Sequence, residues 1–101
     1  MEEISISISS GVINILDVVV YYKDKICVIN GKSFNVSDSF LSRLLNIISS
    51  FKNEYGCADG IDLEEFIIKV KYNGNISTYH GKGIYPMYYN SLKDLIGEVY
   101  E

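Results

Sequence analysis

The sequence is poor in the residues on which most enzyme and metal sites depend. It has one histidine (His80), one proline (Pro86), two cysteines and no tryptophan. A structural zinc site needs about four ligands, which one histidine and two scattered cysteines cannot supply without carboxylates. No Cys-x-x-Cys, His-Glu-x-x-His or Gly-x-Ser-x-Gly motif occurs. We therefore expect a protein that is not an enzyme and that uses no metal and no cofactor.

Long apolar runs and clustered basic residues are also missing. The longest apolar run, Val18–Tyr22, is far shorter than the roughly 20 residues of a membrane span. The acidic start, Met1-Glu2-Glu3, is unlike an export signal. The nine Lys and Arg residues are spread along a chain of net charge −4, which disfavours direct nucleic-acid binding. The sequence thus predicts a cytoplasmic protein with free thiols, no membrane contact and a charge that suits a basic partner.

Hydrophobic patterning predicts a single α+β domain over residues 1–101. Ile4, Ile6 and Ile8 alternate with serines, as in a half-buried strand. Asn30-Gly31 and Asn73-Gly74 are strong signals for two-residue hairpin turns. The predicted order is β-β-β(-β)-α-β-β-α, an antiparallel sheet of about five strands with two helices packed on it.

Two helices follow from capping residues and apolar stripes. Ser37 is a suitable N-cap for a helix from about Asp38 to Tyr55. Leu45 lies at the centre of its apolar stripe, and Gly56 is placed to stop it. Pro86 fits the first turn of the second helix. That helix has a stripe at Tyr88, Leu92, Leu95, Ile96 and Val99.

The second hairpin can be assigned a register from its turn. A two-residue turn at Asn73-Gly74 places Ile68 opposite Tyr79 and Ile67 opposite His80. Tyr79 is then expected to point into the core and His80 to point outward.

The residues with no evident structural role are acids and tyrosines. Five acids without an intervening basic residue lie at Glu54, Asp59, Asp62, Glu64 and Glu65. They either solvate a surface or form a patch that orients a basic partner. Tyr85 and Tyr89 have no clear place in the core, and exposed tyrosines favour protein interfaces. We predict that these seven residues contribute to a partner-binding site.

The C-terminal third, "EEFIIKVKYNGNISTYHGKGIYPMYYNSLKDLIGEV", resembles the endings of small Gram-positive immunity proteins and phage anti-defence proteins. In those proteins a tyrosine-bearing hairpin leads through a glycine and Tyr-Pro corner into an amphipathic final helix. The resemblance implies a stoichiometric inhibitor of a nuclease, CRISPR effector or toxin, in the manner of anti-CRISPR or toxin-immunity proteins. It implies no catalytic residues.

Three alternatives remain open from the sequence. The chain can be a small-ligand binder that sequesters a nucleotide signal in a tyrosine-lined pocket. It can be an enzyme that uses His80, the one conventional base at neutral pH. It can also form a homodimer through an exposed edge strand, either the Ile4–Ile8 strand or the strand that carries Asp17.

Overall fold

Nine elements of secondary structure follow one another in the computed structural model, which describes residues 2–60 and 63–100. They are β1 (Glu3–Ser10), β2 (Ile13–Tyr21), β3 (Ile26–Ile29), β4 (Lys32–Asn35), α1 (Asp38–Ser49), β5 (Glu54–Cys57), β6 (Glu64–Tyr72), β7 (Asn75–Lys82) and α2 (Tyr89–Tyr100). The fold class is α+β, as predicted. The order contains one strand, β5, that the sequence pattern did not predict.

The strands form one seven-stranded sheet in the order β4-β3-β2-β1-β6-β7-β5. The prediction of about five strands, all antiparallel, is wrong in two respects, because β5 is an additional strand and pairs with β7 in parallel. β5 has four residues, and Gly56 within it has a φ of +82°. So short a strand has no periodicity to detect.

One face of the sheet forms the core together with both helices. Ile4, Ile6 and Ile8 of β1 are fully buried on this face. β1 lies between β2 and β6, so of the two strands considered as exposed edges, the Ile4–Ile8 strand is not one. The alternating serines indicate that one face of β1 is in contact with solvent. They do not indicate that the backbone N–H and C=O groups of β1 lack a neighbouring strand, which is what makes a strand an edge.

α1 ends earlier than the sequence pattern predicts. It begins as expected, with the Phe40 N–H donating to Ser37 Oγ at 3.1 Å. It ends at Ser49 instead of near Tyr55. The hydroxyls of Ser49 and Ser50 donate to backbone carbonyls three residues back, and such local bonds compete with continued helix. The chain released by this early end forms β5.

α2 begins three residues after the proline that was expected to start it. The Tyr89 N–H donates to the Pro86 carbonyl at 3.1 Å in a turn that precedes the helix. Tyr89 is buried, 4 % exposed, whereas Tyr88 is 50 % exposed. The predictions that Tyr88 packs inward and that Tyr89 lies outside the core are therefore wrong. Leu92 follows either tyrosine at helical spacing, so periodicity alone did not separate the two phases.

The predicted register of the second hairpin is confirmed at every pair. Ile68 lies opposite Tyr79, and Ile67 lies opposite His80. The turn residues Asn73 and Gly74 both have positive φ, 50° and 79°, as a two-residue turn of this kind requires. Tyr79 packs against the core and His80 points to the outer face.

Candidate partner-binding surface

Several loops meet at one end of the sheet. Ser10 at the end of β1 pairs with Ile13 of β2 and with Glu64 of β6. Glu65 in turn pairs with Lys82 at the end of β7. The β1–β2 turn, the β5–β6 loop and the segment after β7 therefore lie at this common end, and the opposite end holds the β6–β7 turn.

The segment 83–88, here called the proline corner, is held in place by close packing. Gly83 has a φ of +73° and its N–H donates to the Glu64 carbonyl at 3.1 Å. A Cβ at this position would lie 2.8 Å from Leu63 Cδ1 and 2.9 Å from Ala58 Cβ. Only glycine fits both the conformation and the space, so the corner leaves β7 at a fixed position.

Tyr85 and Tyr89 stack on each other and on the core. Their ring centroids are 4.7 Å apart and the rings are nearly parallel, at 11°. Tyr89 also contacts the ring of Phe66, with 5.2 Å between centroids, and the Tyr85 hydroxyl donates to the Glu64 carbonyl at 2.8 Å. Both tyrosines thus support the corner, although Tyr85 keeps one side open to solvent.

Glu64 is held on the helix-covered face. Its carboxylate accepts hydrogen bonds from the Tyr89 hydroxyl at 3.0 Å and from Lys93 Nζ at 2.9 Å. Burial raises the pKa of Tyr89, and the hydrogen bond to Glu64 raises it further. The phenol therefore stays protonated and acts as a fixed donor.

Glu54 and Glu65 meet on the outer face, where both contact His80. His80 Nδ1 lies 2.8 Å from Glu54 Oε2, and His80 Nε2 lies 2.7 Å from Glu65 Oε2. The hydrogen bond to Glu65, followed by that to Glu54, raises the pKa of His80 above its usual 6.5. The pKa of Glu54 is lowered, chiefly by the Gly56 N–H and then by His80. The three side chains connect β5, β7 and β6.

The predicted acidic patch is therefore divided. Glu54 and Glu65 lie on the outer face, and Glu64 lies on the helix face with Tyr89. Asp59 is exposed in the loop after β5. Asp62 lies outside the described residues.

The exposed apolar side chains at this end were not identified from the sequence. Ile84, Met87 and Tyr88 of the proline corner are 43 %, 88 % and 50 % exposed. Tyr85 is 37 % exposed, so four of the five residues from 84 to 88 are apolar or aromatic and exposed. In the sequence, these residues resemble a buried apolar segment between a strand and a helix. They are exposed because α2 starts only at Tyr89, so the segment before it is not part of the helix that packs on the core.

The His80 arrangement predicts a pH dependence of stability. A group with a raised pKa stabilises the fold fully below its unfolded value of 6.5, and this contribution is lost as pH rises through the folded value. The lowered pKa of Glu54 acts in the opposite direction, in acid. We expect the free energy of unfolding, measured by urea titration from about pH 6 to about pH 9, to fall over this range. In the variant His80→Gln the free energy of unfolding should change less with pH over this range. If the variant and the unmodified chain show the same pH dependence, His80 is not its source.

The described residues show neither a metal site nor a long apolar helix. Within residues 2–60 and 63–100, no group of three or more His, Cys, Asp or Glu side chains is arranged to hold a metal ion. No helix in this part of the chain is long and apolar enough to cross a membrane. The buried thiol of Cys27 has a pKa raised to about 11 by desolvation, which makes it a poor nucleophile.

Two open grooves lie away from the proline corner. One, of about 350 Å³, is lined by residues of α1 and α2 that include the ion pair of Arg43 and Glu98. The other, of about 290 Å³, lies between the β3–β4 hairpin and Tyr100. Neither is lined by Tyr85 or Tyr89.

Comparisons of this chain with protein-family models, with curated proteins and with solved structures found no match.

Proposed function

We propose that this protein is a non-enzymatic, stoichiometric inhibitor that binds a nuclease, CRISPR effector or toxin protein through the proline corner and blocks a basic functional surface of that partner. The observation that carries the proposal is the exposed apolar surface of Ile84, Tyr85, Met87 and Tyr88. Exposed apolar side chains concentrated in one short segment of a small domain are typical of an interaction site. Aromatic residues and methionine are enriched in such sites.

The support beneath the corner favours a preformed binding site. Tyr85 is stacked on Tyr89 and hydrogen-bonded to Glu64, and Gly83 is packed against Leu63. A site that is already ordered loses little conformational entropy when it binds. The proline corner therefore suits tight binding of a protein surface.

The charge of the chain supports a basic partner. The net charge is −4, and Asp59 is exposed in the loop beside the corner. Exposed acids near an apolar contact area raise the association rate with a basic surface and fix its orientation. Glu54, Glu64 and Glu65 contribute to this field, although each also has an internal partner. The proposed site of action is the bacterial cytoplasm.

The stacked tyrosines favour protein binding over the alternative of a nucleotide-sequestering pocket. The rings of Tyr85 and Tyr89 are 4.7 Å apart, which leaves no room for a base between them. His80 is bonded at both ring nitrogens by carboxylates, so neither nitrogen is free to act on a substrate. This arrangement supports the proposal that the chain is not an enzyme.

The proposal is tested by isolating the partner and titrating its activity. The tagged chain is incubated with a bacterial lysate, and each captured nuclease or toxin is purified and assayed with increasing amounts of the chain. We expect its activity to fall linearly and to be abolished at a fixed stoichiometry. A captured protein that keeps full activity at saturation would contradict inhibition.

The binding surface is tested by a matched pair of tyrosine substitutions. Tyr88 and Tyr72 are exposed to 50 % and 52 %, and Tyr72 lies at the opposite end of the sheet. We expect Tyr88→Ala to accelerate dissociation by about tenfold or more, as loss of an interface anchor does. Tyr72→Ala should leave dissociation unchanged. The measurement is surface plasmon resonance against the purified partner.

Reversing the charge of Asp59 distinguishes its effect on the association rate from the effect of the apolar contacts on dissociation. Asp59→Lys should slow association at low salt and have a smaller effect at high salt, because exposed charges are screened. An unchanged association rate at low salt would show that the acidic loop does not face the partner. Equal effects of Tyr88→Ala and Tyr72→Ala would place the contact outside the proline corner.

A further inference from the structure

Two Asn-Gly pairs form hairpin turns in this fold. Asn30-Gly31 joins β3 to β4, and Asn73-Gly74 joins β6 to β7. No other asparagine of the sequence precedes a glycine. The side-chain amide of such an asparagine is chemically labile, because glycine has no side chain to hinder attack by its own backbone nitrogen on the preceding residue. Since glycine follows in both pairs, their intrinsic reactivity is similar, and the folded structure decides which of them reacts.

The backbone conformations of the two turns are nearly identical. Asn30 and Gly31 have φ values of 49° and 85°. Asn73 and Gly74 have φ values of 50° and 79°. All four residues are exposed, and a Cβ added to either glycine would have no neighbour within 4 Å. Backbone conformation and access to solvent therefore do not distinguish the two turns.

The two asparagine residues differ in their hydrogen bonds. Asn30 Oδ1 accepts from the Asp17 N–H at 2.9 Å, and the Asn30 N–H donates to the Asp17 carbonyl at 2.8 Å. These two bonds fasten the β3–β4 turn to β2. Among the residues that the structure describes, the side chain of Asn73 makes no hydrogen bond. The β6–β7 turn therefore has no comparable attachment.

Reaction at either site requires the turn to open, so that the asparagine side chain can rotate towards the backbone nitrogen of the glycine. Exposed turns open locally at low free-energy cost. At Asn73 this opening breaks no side-chain hydrogen bond. At Asn30 it breaks both bonds to Asp17, and two ordinary hydrogen bonds are enough to lower the population of the open form about tenfold or more.

We propose that Asn73 is a site of spontaneous deamidation and that the bonds to Asp17 protect Asn30 from the same reaction. The Gly74 nitrogen attacks Asn73 Cγ, so that a bond forms between these two atoms and the Cγ–Nδ2 bond breaks. The NH₂ group leaves as ammonia, with the proton that the Gly74 nitrogen loses. The product is a cyclic imide, and no atom is oxidised or reduced.

Water then opens the imide ring in one of two ways. Attack at Cγ breaks the new bond and gives aspartate. Attack at the backbone carbonyl carbon of residue 73 breaks the original peptide bond and gives isoaspartate, in which the chain continues through the side-chain carbon. Aspartate before glycine still suits a two-residue turn, whereas isoaspartate adds a methylene to the backbone and removes that turn. We expect only isoaspartate to disturb the pairing of Tyr72 with Asn75.

The test compares the two sites within one sample of the full chain. The folded chain is incubated near neutral pH, and peptide mapping by mass spectrometry follows the loss of each side-chain amide with time. We expect Asn73 to react about tenfold faster than Asn30, or more. Circular dichroism checks that the chain remains folded. The control is a parallel sample in concentrated guanidinium chloride, where the bonds to Asp17 are absent and the two rates should become similar.

Two substitutions at residue 73 separate the reaction from its consequence. Asn73→Gln should suppress modification at this site, because the ring would need one more atom, and should leave the rate at Asn30 unchanged. Asn73→Asp reproduces the aspartate product and should unfold at the same urea concentration as the unmodified chain. The isoaspartate form, separated by chromatography from the incubated protein, should unfold at a lower urea concentration.

Three results would overturn the proposal. They are equal rates at the two sites of the folded chain, a faster reaction at Asn30, and no reaction at either site over a period in which the unfolded chain reacts at both. An isoaspartate form as stable as Asn73→Asp would overturn the expected effect on the hairpin. None of these outcomes bears on inhibition of a partner, because the β6–β7 turn lies at the end of the sheet opposite the proline corner.

Discussion

Phe66→Ala should lower the free energy of unfolding by about 3–5 kcal/mol, the range for truncating a buried aromatic residue. Phe66 is fully buried, and its ring contacts those of Phe51, Tyr55, Tyr85 and Tyr89 at centroid distances of 5.2–6.5 Å. Its removal leaves a cavity where β6 meets β5, the proline corner, α2 and the segment that follows α1. Urea denaturation monitored by circular dichroism measures the loss.

The same substitution should also affect the proline corner. Tyr85 and Tyr89 rest on Phe66, so the near-ultraviolet circular dichroism of the folded variant should decrease. Phe66→Leu keeps most of the apolar volume and should cost clearly less. A loss below about 1 kcal/mol for the alanine variant would show that the aromatic cluster does not organise this end of the molecule.

Leu44→Ala should lower the free energy of unfolding by about 2–5 kcal/mol, and Leu45→Ala should lower it by less. The sequence pattern placed Leu45 at the centre of the α1 stripe. The structure buries Leu44 completely and leaves Leu45 partly exposed at the edge of the core. The two variants remove the same atoms from adjacent positions, so the difference between them reports burial alone.

The comparison of Leu44 and Leu45 is made by urea denaturation at a single pH. Equal losses would mean that both side chains are equally packed and that the assigned phase of α1 is incorrect. A larger loss for Leu45→Ala would support the phase predicted from the sequence.

Local signals gave the fold elements that were predicted correctly. The Asn73-Gly74 turn fixed the register of the second hairpin, because a two-residue turn leaves one pairing, and the Ser37 cap gave the start of α1. β5 was not predictable in this way. Its partner β7 is more than 20 residues away, and its four residues contain a glycine that also satisfied the pattern of a helix stop.

The candidate site was harder to predict, because neighbours in sequence need not share a surface. Glu64 and Glu65 are consecutive in a strand and therefore point to opposite faces. One meets Tyr89 on the helix side and the other meets His80 on the outer side. The alternation of side chains along a strand predicts that Glu64 and Glu65 lie on opposite faces of the sheet. The residues that each one contacts could not be predicted in this way, because they depend on the positions of α2 and β5. The sequence pattern assigned Tyr88 to the core and Tyr89 to the surface, and the structure shows the reverse. The error arose because α2 starts at Tyr89, later than Pro86 indicates.

The central position of β1 has a consequence for the order of folding. β1 pairs with β2 across a short turn, but its other neighbour, β6, is about 60 residues further along the chain, as the pair Ile6 and Ile68 shows. Closing so long a loop is entropically costly and slows folding. During synthesis the meander β1–β4 emerges first, and the edge of β1 that pairs with β6 stays uncovered until β6 has been made. Nascent chains on neighbouring ribosomes are therefore most exposed to mispairing in this interval, so slower synthesis of residues 36–63 should increase aggregation.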